Sequence, residues 1–259
     1  MNAIVYDIAT TRVLWRRDLA RFWRQPSRVI GALGQPVLFW LVIGSGLART
    51  FQIPGVDVGY MEYFFPGVVM LVLLFASIFA SVSVIDDRHQ GFLQAVLAGP
   101  GSRTALVWGK CLGSTSVALI QGALFFALTP LAGFSLGAIH WPLLLAASIL
   151  TSLGLTALGF AVAWILDNVQ AYHAVQMMVL IPLWVVSGAM FPAGEGVYAV
   201  VMRLNPVAYG VSAVRHALYG GLASPQMTVS QTPWFEVAVV GAFAVFCVLL
   251  ASMVCTHRR

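Results

Sequence analysis

Six long apolar segments, separated by shorter polar ones, set the pattern of this chain. Each is long enough for an α-helix to cross the roughly 30 Å hydrocarbon core of a bilayer, which takes about twenty residues. Their interiors carry essentially no Asp, Glu, Lys or Arg. The predicted spans are 29–48, 63–85, 111–133, 141–166, 171–191 and 236–254. The pattern therefore predicts an all-α integral membrane protein in which 29–259 is one domain of six transmembrane helices.

The first 28 residues have a different pattern. Apolar side chains recur there at helical spacing and would share one stripe of a helix over 3–24: Ile4, Ile8, Trp15, Leu19 and Phe22. Arg residues occupy the other faces and the flanks, and Pro26 ends the helix. This pattern predicts an amphipathic helix that lies in the headgroup plane. A solvated basic arm is the alternative.

A second irregular region, 192–233, separates the fifth and sixth spans. Asn205 is a good N-cap and Pro206 a good first-turn residue, so a helix is expected over 206–219. Gly220 and Gly221 provide its C-terminal stop. Such a helix is only about 21 Å long at about 1.5 Å per residue, too short to cross a bilayer. We expect it to be interfacial or re-entrant.

The basic residues predict the orientation of the chain. Eleven of the fourteen Arg and Lys residues fall on one side of the predicted membrane, and only Arg49, Arg203 and Arg215 fall on the other. The positive-inside rule then places both termini and the 86–110 loop in the cytoplasm, and the external segment 192–233 outside.

Composition excludes several other classes of protein. With 60% hydrophobic and 9% charged residues, the chain cannot be a soluble domain. The net charge of +5 comes from residues near span ends, where they meet lipid headgroups, so it does not indicate nucleic-acid binding. The three Cys and five His residues are scattered, and we expect no catalytic and no metal site. Gly109-Lys110 resembles the end of a phosphate-binding loop, but Thr104 stands where the loop needs Gly and Cys111 where it needs Ser or Thr, so no ATP site is expected in this chain.

The 86–110 loop contains a short segment with an apolar face, Phe92, Leu93, Val96 and Leu97, between Gly91 and Gly99. A short helix with an exposed apolar face is typical of a docking surface for a partner protein. The same segment could instead fold back onto the helical bundle, and the pattern alone does not choose between the two.

Residues along nearly the whole chain resemble ABC-2 type transporter permeases. The resemblance lies in the order and register of several short motifs: Tyr60-Met61, Phe64, Pro66-Gly67 and Met70; Asp87-Arg88, Gly91, Gln94, Leu97, Pro100, Ser102-Arg103 and Gly109-Lys110; Ser187-Gly188, Phe191-Pro192, Asn205-Pro206, Tyr209 and Arg215. Gln94 departs from the Glu that the family usually has at that point. This weakens the expectation of an acidic contact there.

The resemblance implies one half of an ABC exporter in a bacterial cytoplasmic (inner) membrane. Two copies of this permease would act with two copies of a separate ABC ATPase, which would hold the ATP and Mg. The helix over 4–24 and a coupling helix in 87–100 would touch the ATPase. The residues implied in coupling are Asp87, Arg88, Gly91, Phe92, Leu93, Gln94, Leu97, Pro100 and Arg103. Two external re-entrant helices would match 196–204 and 206–219, with Asn205, Pro206, Tyr209 and Arg215.

The transport path would lie between the two permeases. An amphipathic or lipid-linked substrate, such as a drug, glycolipid or polysaccharide, could use a seam of aromatic rings without ionic partners: Phe39, Trp40, Phe75, Phe79 and Trp184. These rings could equally face lipid or the core. The alternatives to an ATP-driven exporter are an ATP-independent carrier or channel, which needs ionisable groups inside the membrane, and an intramembrane lipid-modifying enzyme, which needs His, Asp or Glu grouped at one membrane face.

Overall fold

The computed structural model describes residues 3–49, 58–192, 196–221 and 223–257, with backbone only at 26–29 and 32. Most of the predicted loop after Arg49, and the last two arginines, lie outside these ranges. The described residues form α-helices without any strand: α1 Ala3–Trp23, α2 Pro26–Leu47, α3 Tyr60–Ser81, α4 Ser83–His89, α5 Phe92–Leu97, α6 Arg103–Phe126, α7 Trp141–Ile165, α8 Val169–Trp184, α9 Val197–Leu204, α10 Pro206–Leu218 and α11 Pro233–His257. The all-α prediction is confirmed.

Several helices begin at the capping residues that the sequence provides. The side chain of Asn205 accepts a hydrogen bond from the Val207 backbone N–H at 3.0 Å, which confirms the predicted start of α10. Ser102 accepts from Ala105 at the start of α6, and Asn168 accepts from Ala171 at the start of α8. These caps satisfy backbone donors that the first helical turn leaves without partners.

Four described helices are long and apolar enough to cross a membrane, or five if the bent pair α9–α10 counts as one span. They are Tyr60–His89, Trp141–Ile165, Val169–Ala189 and Pro233–His257. The predicted first span corresponds to α2, whose described apolar part is the shorter Leu33–Leu47. The predicted third span corresponds to α6, which contains Lys110 and Gln121. The structure therefore establishes a multi-span helical protein, and the six-span count stays a prediction.

Helix α3 is the centre of the bundle and is buried almost throughout. It packs against α2, α6, α7 and α10. Small residues permit the closest approaches: a Cβ placed on Gly67 would lie 2.7 Å from Cα of Ala189. Without water to drive association inside a membrane, such close backbone packing is a main source of helix–helix affinity.

The two ends of the bundle are built differently. We call one end the α5 end. There Arg88 of α4 contacts Asp167 in the turn between α7 and α8, and Arg103 at the start of α6 contacts Cys255 near the C-terminus of α11. At the opposite end, the α10 end, α9 and α10 meet at an angle of 85°. Both helices lie where two short helices were predicted before the last span, and the bend between them at Asn205 was not predicted.

Helix α1 has the predicted length and packs along one side of the bundle. Leu14, Asp18 and Phe22 are buried there, whereas Ile4 and Ile8 of the predicted stripe are exposed. The helix lies along the first half of α6, where a Cβ on Gly109 would come 2.8 Å from Leu14 and one on Gly113 would come 2.9 Å from Asp18. Most of the apolar stripe thus stays off the bundle, and its placement in the headgroup plane stays a prediction.

Four charged side chains near the ends of helices are buried in the bundle, which was not predicted from the sequence. Lys110, Asp87, Arg215 and Glu236 are each buried. Lys110 lies two turns into α6 because that helix begins at Arg103, earlier than the predicted start of the third span. The 86–110 region is correspondingly not an open loop but consists of α4, α5 and the first turns of α6.

Candidate coupling site at the α5 end

A sharp corner between α4 and α5 forms the candidate coupling site. Helix α4 continues α3 after Val82 and ends at His89, and α5 begins just after Gly91. Gly91 has φ of +75°, a left-handed conformation that costs other residues roughly 1–2 kcal/mol. This glycine ends the turn between the two helices, which takes only Gln90 and Gly91.

A buried cluster of charges, the α1–α4–α6 cluster, consists of Arg17, Asp18, Asp87 and Lys110. Arg17 donates to both carboxylate oxygens of Asp87, each at 2.7 Å. Lys110 donates to Oδ2 of Asp87, and it also donates to Oδ1 of Asp18 at 3.0 Å. Two acids and two bases thus neutralise each other where three helices meet, which is the condition under which charges tolerate burial.

The pKa values of Asp18 and Arg17, the two α1 members of the cluster, are shifted by different causes. Burial raises the pKa of Asp18, and the charge and hydrogen bond of Lys110 offset part of that rise. The hydrogen bond to Asp87 is the largest cause that raises the pKa of Arg17, against a partial desolvation of the guanidinium. Arg21 extends the cluster outward, since its guanidinium lies 3.3 Å from Asp87 and 4.0 Å from Asp86.

The predicted apolar face of α5 divides into two parts. Phe92 lies under the Arg17 guanidinium, whose Cζ is 3.7 Å from the ring centroid, and Leu93 is buried. Gln94 is exposed, and Leu97 is 37% exposed. The sequence left docking and folding back as alternatives. The structure shows that one side of α5 packs on the bundle and that the other side is exposed, and docking of a partner on the exposed side stays a prediction.

The remaining residues implied in coupling hold the corner in place. Arg88 donates to the Trp164 carbonyl at 3.1 Å and reaches Asp167 at 3.3 Å, which ties α4 to the turn between α7 and α8. Arg103 donates to the Cys255 carbonyl at 2.8 Å, which ties α6 to α11. Asp87, Arg88 and Arg103 thus make contacts within the chain, while Pro100 lies in an exposed turn.

The residues singled out at the α10 end anchor the bent pair from inside. Arg215 is buried over the Tyr63 ring and donates to the carbonyls of Tyr63 at 3.2 Å, Gly188 at 3.1 Å and Met227. Arg215 is therefore a buried anchor of this end of the bundle, and its placement on the external side of the membrane stays a prediction. Tyr209 donates to the Arg203 carbonyl at 2.9 Å, across the break that Asn205 and Pro206 form.

The five aromatic residues of the predicted seam do not form one surface of the single chain. Trp40, Phe75 and Trp184 are buried in the core, and the two indoles donate to the carbonyls of Met61 and Gly67 at 2.9 and 2.8 Å. Phe39 is half-buried and Phe79 is exposed. Of the five, these two alone present surface to a molecule outside the core.

Sequence reasoning missed Arg17, Asp18 and Lys110 as one site. Lys110 is the single lysine of the chain, placed in an otherwise small and apolar helix, and Asp18 is the one acid amid the arginines of 12–24. These two unusual positions were the sequence evidence from which a buried charged site could have been suspected. Their pairing could not be derived because it depends on how α1 packs on α6. Among the described residues no group of His, Cys, Asp and Glu has the arrangement of a metal site.

The described part of the chain is all-α, has four or five candidate membrane spans and presents α5 at one end. A family model described as ABC-2 type transporter matches residues 9–219, so the chain belongs to this family of permeases. The expected family is thereby confirmed.

The chain is also similar to transport permeases of other organisms. The chain is 26% identical to the "Putative transport permease ycf38" of Cyanophora paradoxa, over 78% of this chain and 72% of the relative. It is 24% identical to the ycf38 permease of Porphyra purpurea, over 81% and 74%. It is also 24% identical to "Nodulation protein J" of Rhizobium meliloti (strain 1021), over 80% of each. The permease names support a membrane transport subunit.

Proposed function

We propose that this chain is the permease subunit of an ATP-driven ABC-2 exporter in a bacterial cytoplasmic membrane. Two copies act with two copies of a separate ATPase, which carries the ATP and Mg. The α5 end, with both termini, faces the cytoplasm, and the six predicted spans surround a path for an amphipathic or lipid-linked substrate. Family membership supports the transport role, and the excess of basic residues at the α5 end supports the orientation.

The observation that carries the proposal is that α5 has one exposed side and one side packed on the bundle. Its outer side, with Gln94 and Leu97, is accessible to a partner. Its inner side is joined through Phe92 to Arg17 and from there to Asp87 and Lys110. A displacement of α5 by a partner is therefore transmitted to α1, α4 and α6 together. Alternating access requires such a connection between the partner and an element with two arrangements.

The test is binding of the ATPase by variants of the outer side. Leu97→Asp places a charge on the accessible apolar contact, and we expect it to lower ATPase co-purification at least about tenfold, since central interface residues contribute about 2 kcal/mol or more. Leu131→Asp is the matched control, because Leu131 is an exposed leucine at the α10 end. Equal recovery of the ATPase with both variants would contradict docking at α5. Phe92→Asp is not suitable, because Phe92 packs under Arg17.

One observation favours an ATP-independent carrier as the second candidate. Glu236 is buried near the start of α11, accepts from Ser212 and from the Ser230 N–H at 3.0 Å, and leaves its Oε2 without a hydrogen-bond partner among the described residues. A carboxylic acid inside a membrane protein is the group that ion coupling requires. If transport depends on an ion gradient, Glu236→Gln abolishes it and removal of ATP does not. For an ATP-driven exporter, removal of ATP abolishes transport and Glu236→Gln does not.

A further inference from the structure

A groove of about 620 Å³ runs between α1 and α6. Its direction is given by three hydrogen bonds that join α1 to the start and the middle of α6. They link Asp7 to the Ser102 N–H at 2.7 Å, Thr11 to the Ala105 carbonyl at 3.1 Å and Trp15 to the Ser116 hydroxyl at 3.0 Å. The partners advance in the same direction on both helices. The helices therefore run parallel, and the groove extends from the start of α6 toward its middle.

The walls of the groove are mostly apolar and exposed. In the first half of α6, the exposed residues fall at every fourth position and so share one stripe of the helix: Thr104, Trp108 and Leu112. Ile8 and Trp15 line the groove from α1, and both are exposed. Exposed Trp side chains on a membrane protein are typical of the boundary between hydrocarbon and headgroups.

The length of the α6 stripe matches an acyl chain. From Thr104 to Ser116, a helix advances about 18 Å at about 1.5 Å per residue. The hydrocarbon of one leaflet is about 15 Å thick, half of the roughly 30 Å core. A single lipid chain can therefore lie along the groove over most of its length.

Two opposite charges line the groove near the start of α6. Arg12 is exposed and makes no ion pair or hydrogen bond with the described residues. Asp7 is half-buried and uses Oδ1 for the Ser102 N–H, while its Oδ2 has no hydrogen-bond partner in the described ranges. The hydroxyl groups of the lining already bond within the chain: Thr11, Thr104 and Ser116. One base and one acid thus remain for a ligand, and they complement a headgroup with one anion and one cation.

We propose that this groove binds a resident zwitterionic phospholipid with a primary ammonium headgroup, as in phosphatidylethanolamine. The phosphate contacts Arg12, the ammonium donates to Asp7, and one acyl chain lies along Trp108 and Leu112. Phosphatidylglycerol carries the phosphate but no ammonium, so it leaves the Asp7 carboxylate beside an anion. The proposal rests on the groove itself and not on ATP-driven export.

The test is photolabelling of the full chain in nanodiscs of phosphatidylcholine, whose quaternary ammonium donates no hydrogen bond. Phosphatidylethanolamine or phosphatidylglycerol with the same diazirine-labelled acyl chain is added in trace amounts, and labelled peptides are identified by mass spectrometry. We expect phosphatidylethanolamine to label the peptides of Trp15 or Trp108 about threefold more, the effect of an ion pair at a partly exposed site. Equal labelling by the two lipids, or labelling that avoids both peptides, would overturn the proposal.

Two variants separate the two headgroup contacts. Asp7→Asn keeps an acceptor for the Ser102 N–H but removes the charge, so the preference for phosphatidylethanolamine should disappear. Arg12→Met removes the contact to the phosphate that both lipids carry, so labelling by both should fall about threefold. Arg16→Met is the matched control, because Arg16 is an exposed base of α1 outside the groove lining. Unchanged labelling of Arg12→Met, or an equal loss in Arg16→Met, would contradict the site.

Thermal unfolding gives a second readout that does not depend on crosslinking. A ligand that binds the folded protein alone raises its unfolding temperature. Phosphatidylethanolamine added to the detergent-purified chain should raise the unfolding temperature of the wild type more than phosphatidylglycerol does. Without added lipid, Arg12→Met should unfold as the wild type does, and added lipid should stabilise it less. Equal stabilisation of the two proteins would contradict the contact between Arg12 and the phosphate.

The proposed ATPase is the other occupant that this face could have, because the family resemblance places the helix over 4–24 against it. Photolabelling of the purified complex distinguishes the two. A resident lipid should label the complex and the free permease alike, whereas loss of labelling in the complex would mean that the ATPase covers the groove and would overturn the lipid assignment. If no ATPase co-purifies, the exporter proposal fails, while labelling of the free chain still decides whether the groove binds the lipid.

Discussion

Single side chains at the α5 end illustrate how this protein tolerates charge inside a helical bundle. Lys110 is 1% exposed and Asp87 fully buried, yet each has opposite charges within hydrogen-bond distance. Buried ion pairs of this kind contribute little over apolar residues of the same size, but the loss of one partner is costly. The function of the cluster is therefore to fix the positions of α1, α4 and α6 rather than to add stability.

Removal of the lysine tests this role. Lys110→Met leaves Asp18 without its closest base, and we expect it to lower the free energy of unfolding by about 3–5 kcal/mol. Adding Asp18→Asn to the same chain removes one of the uncompensated carboxylates and should recover part of the loss. The measurement is thermal unfolding in mild detergent. Arg12→Met, at an exposed base of α1, is the control. A Lys110→Met protein that unfolds at the wild-type temperature would show that the cluster does not hold the helices together.

At the scale of elements, helix positions could be predicted much better than helix contacts. The apolar segments and the Asn205 cap were sufficient to locate α3, α7, α8, α10 and α11. The face of α1 could not be predicted, because Asp18 is buried through a partner 92 residues away. The same holds for Arg215, whose three carbonyl acceptors come from separate parts of the chain. Local patterns report periodicity, whereas buried polar contacts depend on tertiary packing.

Arg215 also allows a test of how the α10 end is held. Its guanidinium joins α10 to carbonyls of α3, of the irregular turn at Gly188 and of the segment before α11. Lysine carries one nitrogen and cannot occupy these three positions at once. We expect Arg215→Lys to destabilise the protein by about 2–4 kcal/mol, from acceptors left without donors.

Arg203→Lys is the corresponding control, because Arg203 is exposed on α9 next to the same break. Its unfolding temperature should stay at the wild-type value. If the Arg215 and Arg203 variants unfold alike, the bent pair is held by apolar packing and not by the guanidinium.

At the scale of the whole molecule, the proposed orientation places the α5 end in the cytoplasm. Cysteines introduced at Leu97 and at Arg203 test it, since both positions are exposed and lie at opposite ends of the bundle. The native Cys111, Cys247 and Cys255 are buried and should label slowly. A membrane-impermeant maleimide added to intact cells should label Arg203→Cys and spare Leu97→Cys. Labelling of Leu97→Cys alone would reverse the orientation.

The proposed partner of this permease is a separate ATPase, and the mass and subunit stoichiometry of the complex test for it. The complex would be purified through a tag on this chain in mild detergent. We expect two permeases with two ATPase chains, in a complex that Leu97→Asp separates without unfolding the permease. A folded wild-type permease that purifies without any ATPase would contradict this expectation and favour the carrier with Glu236 as its ionisable group.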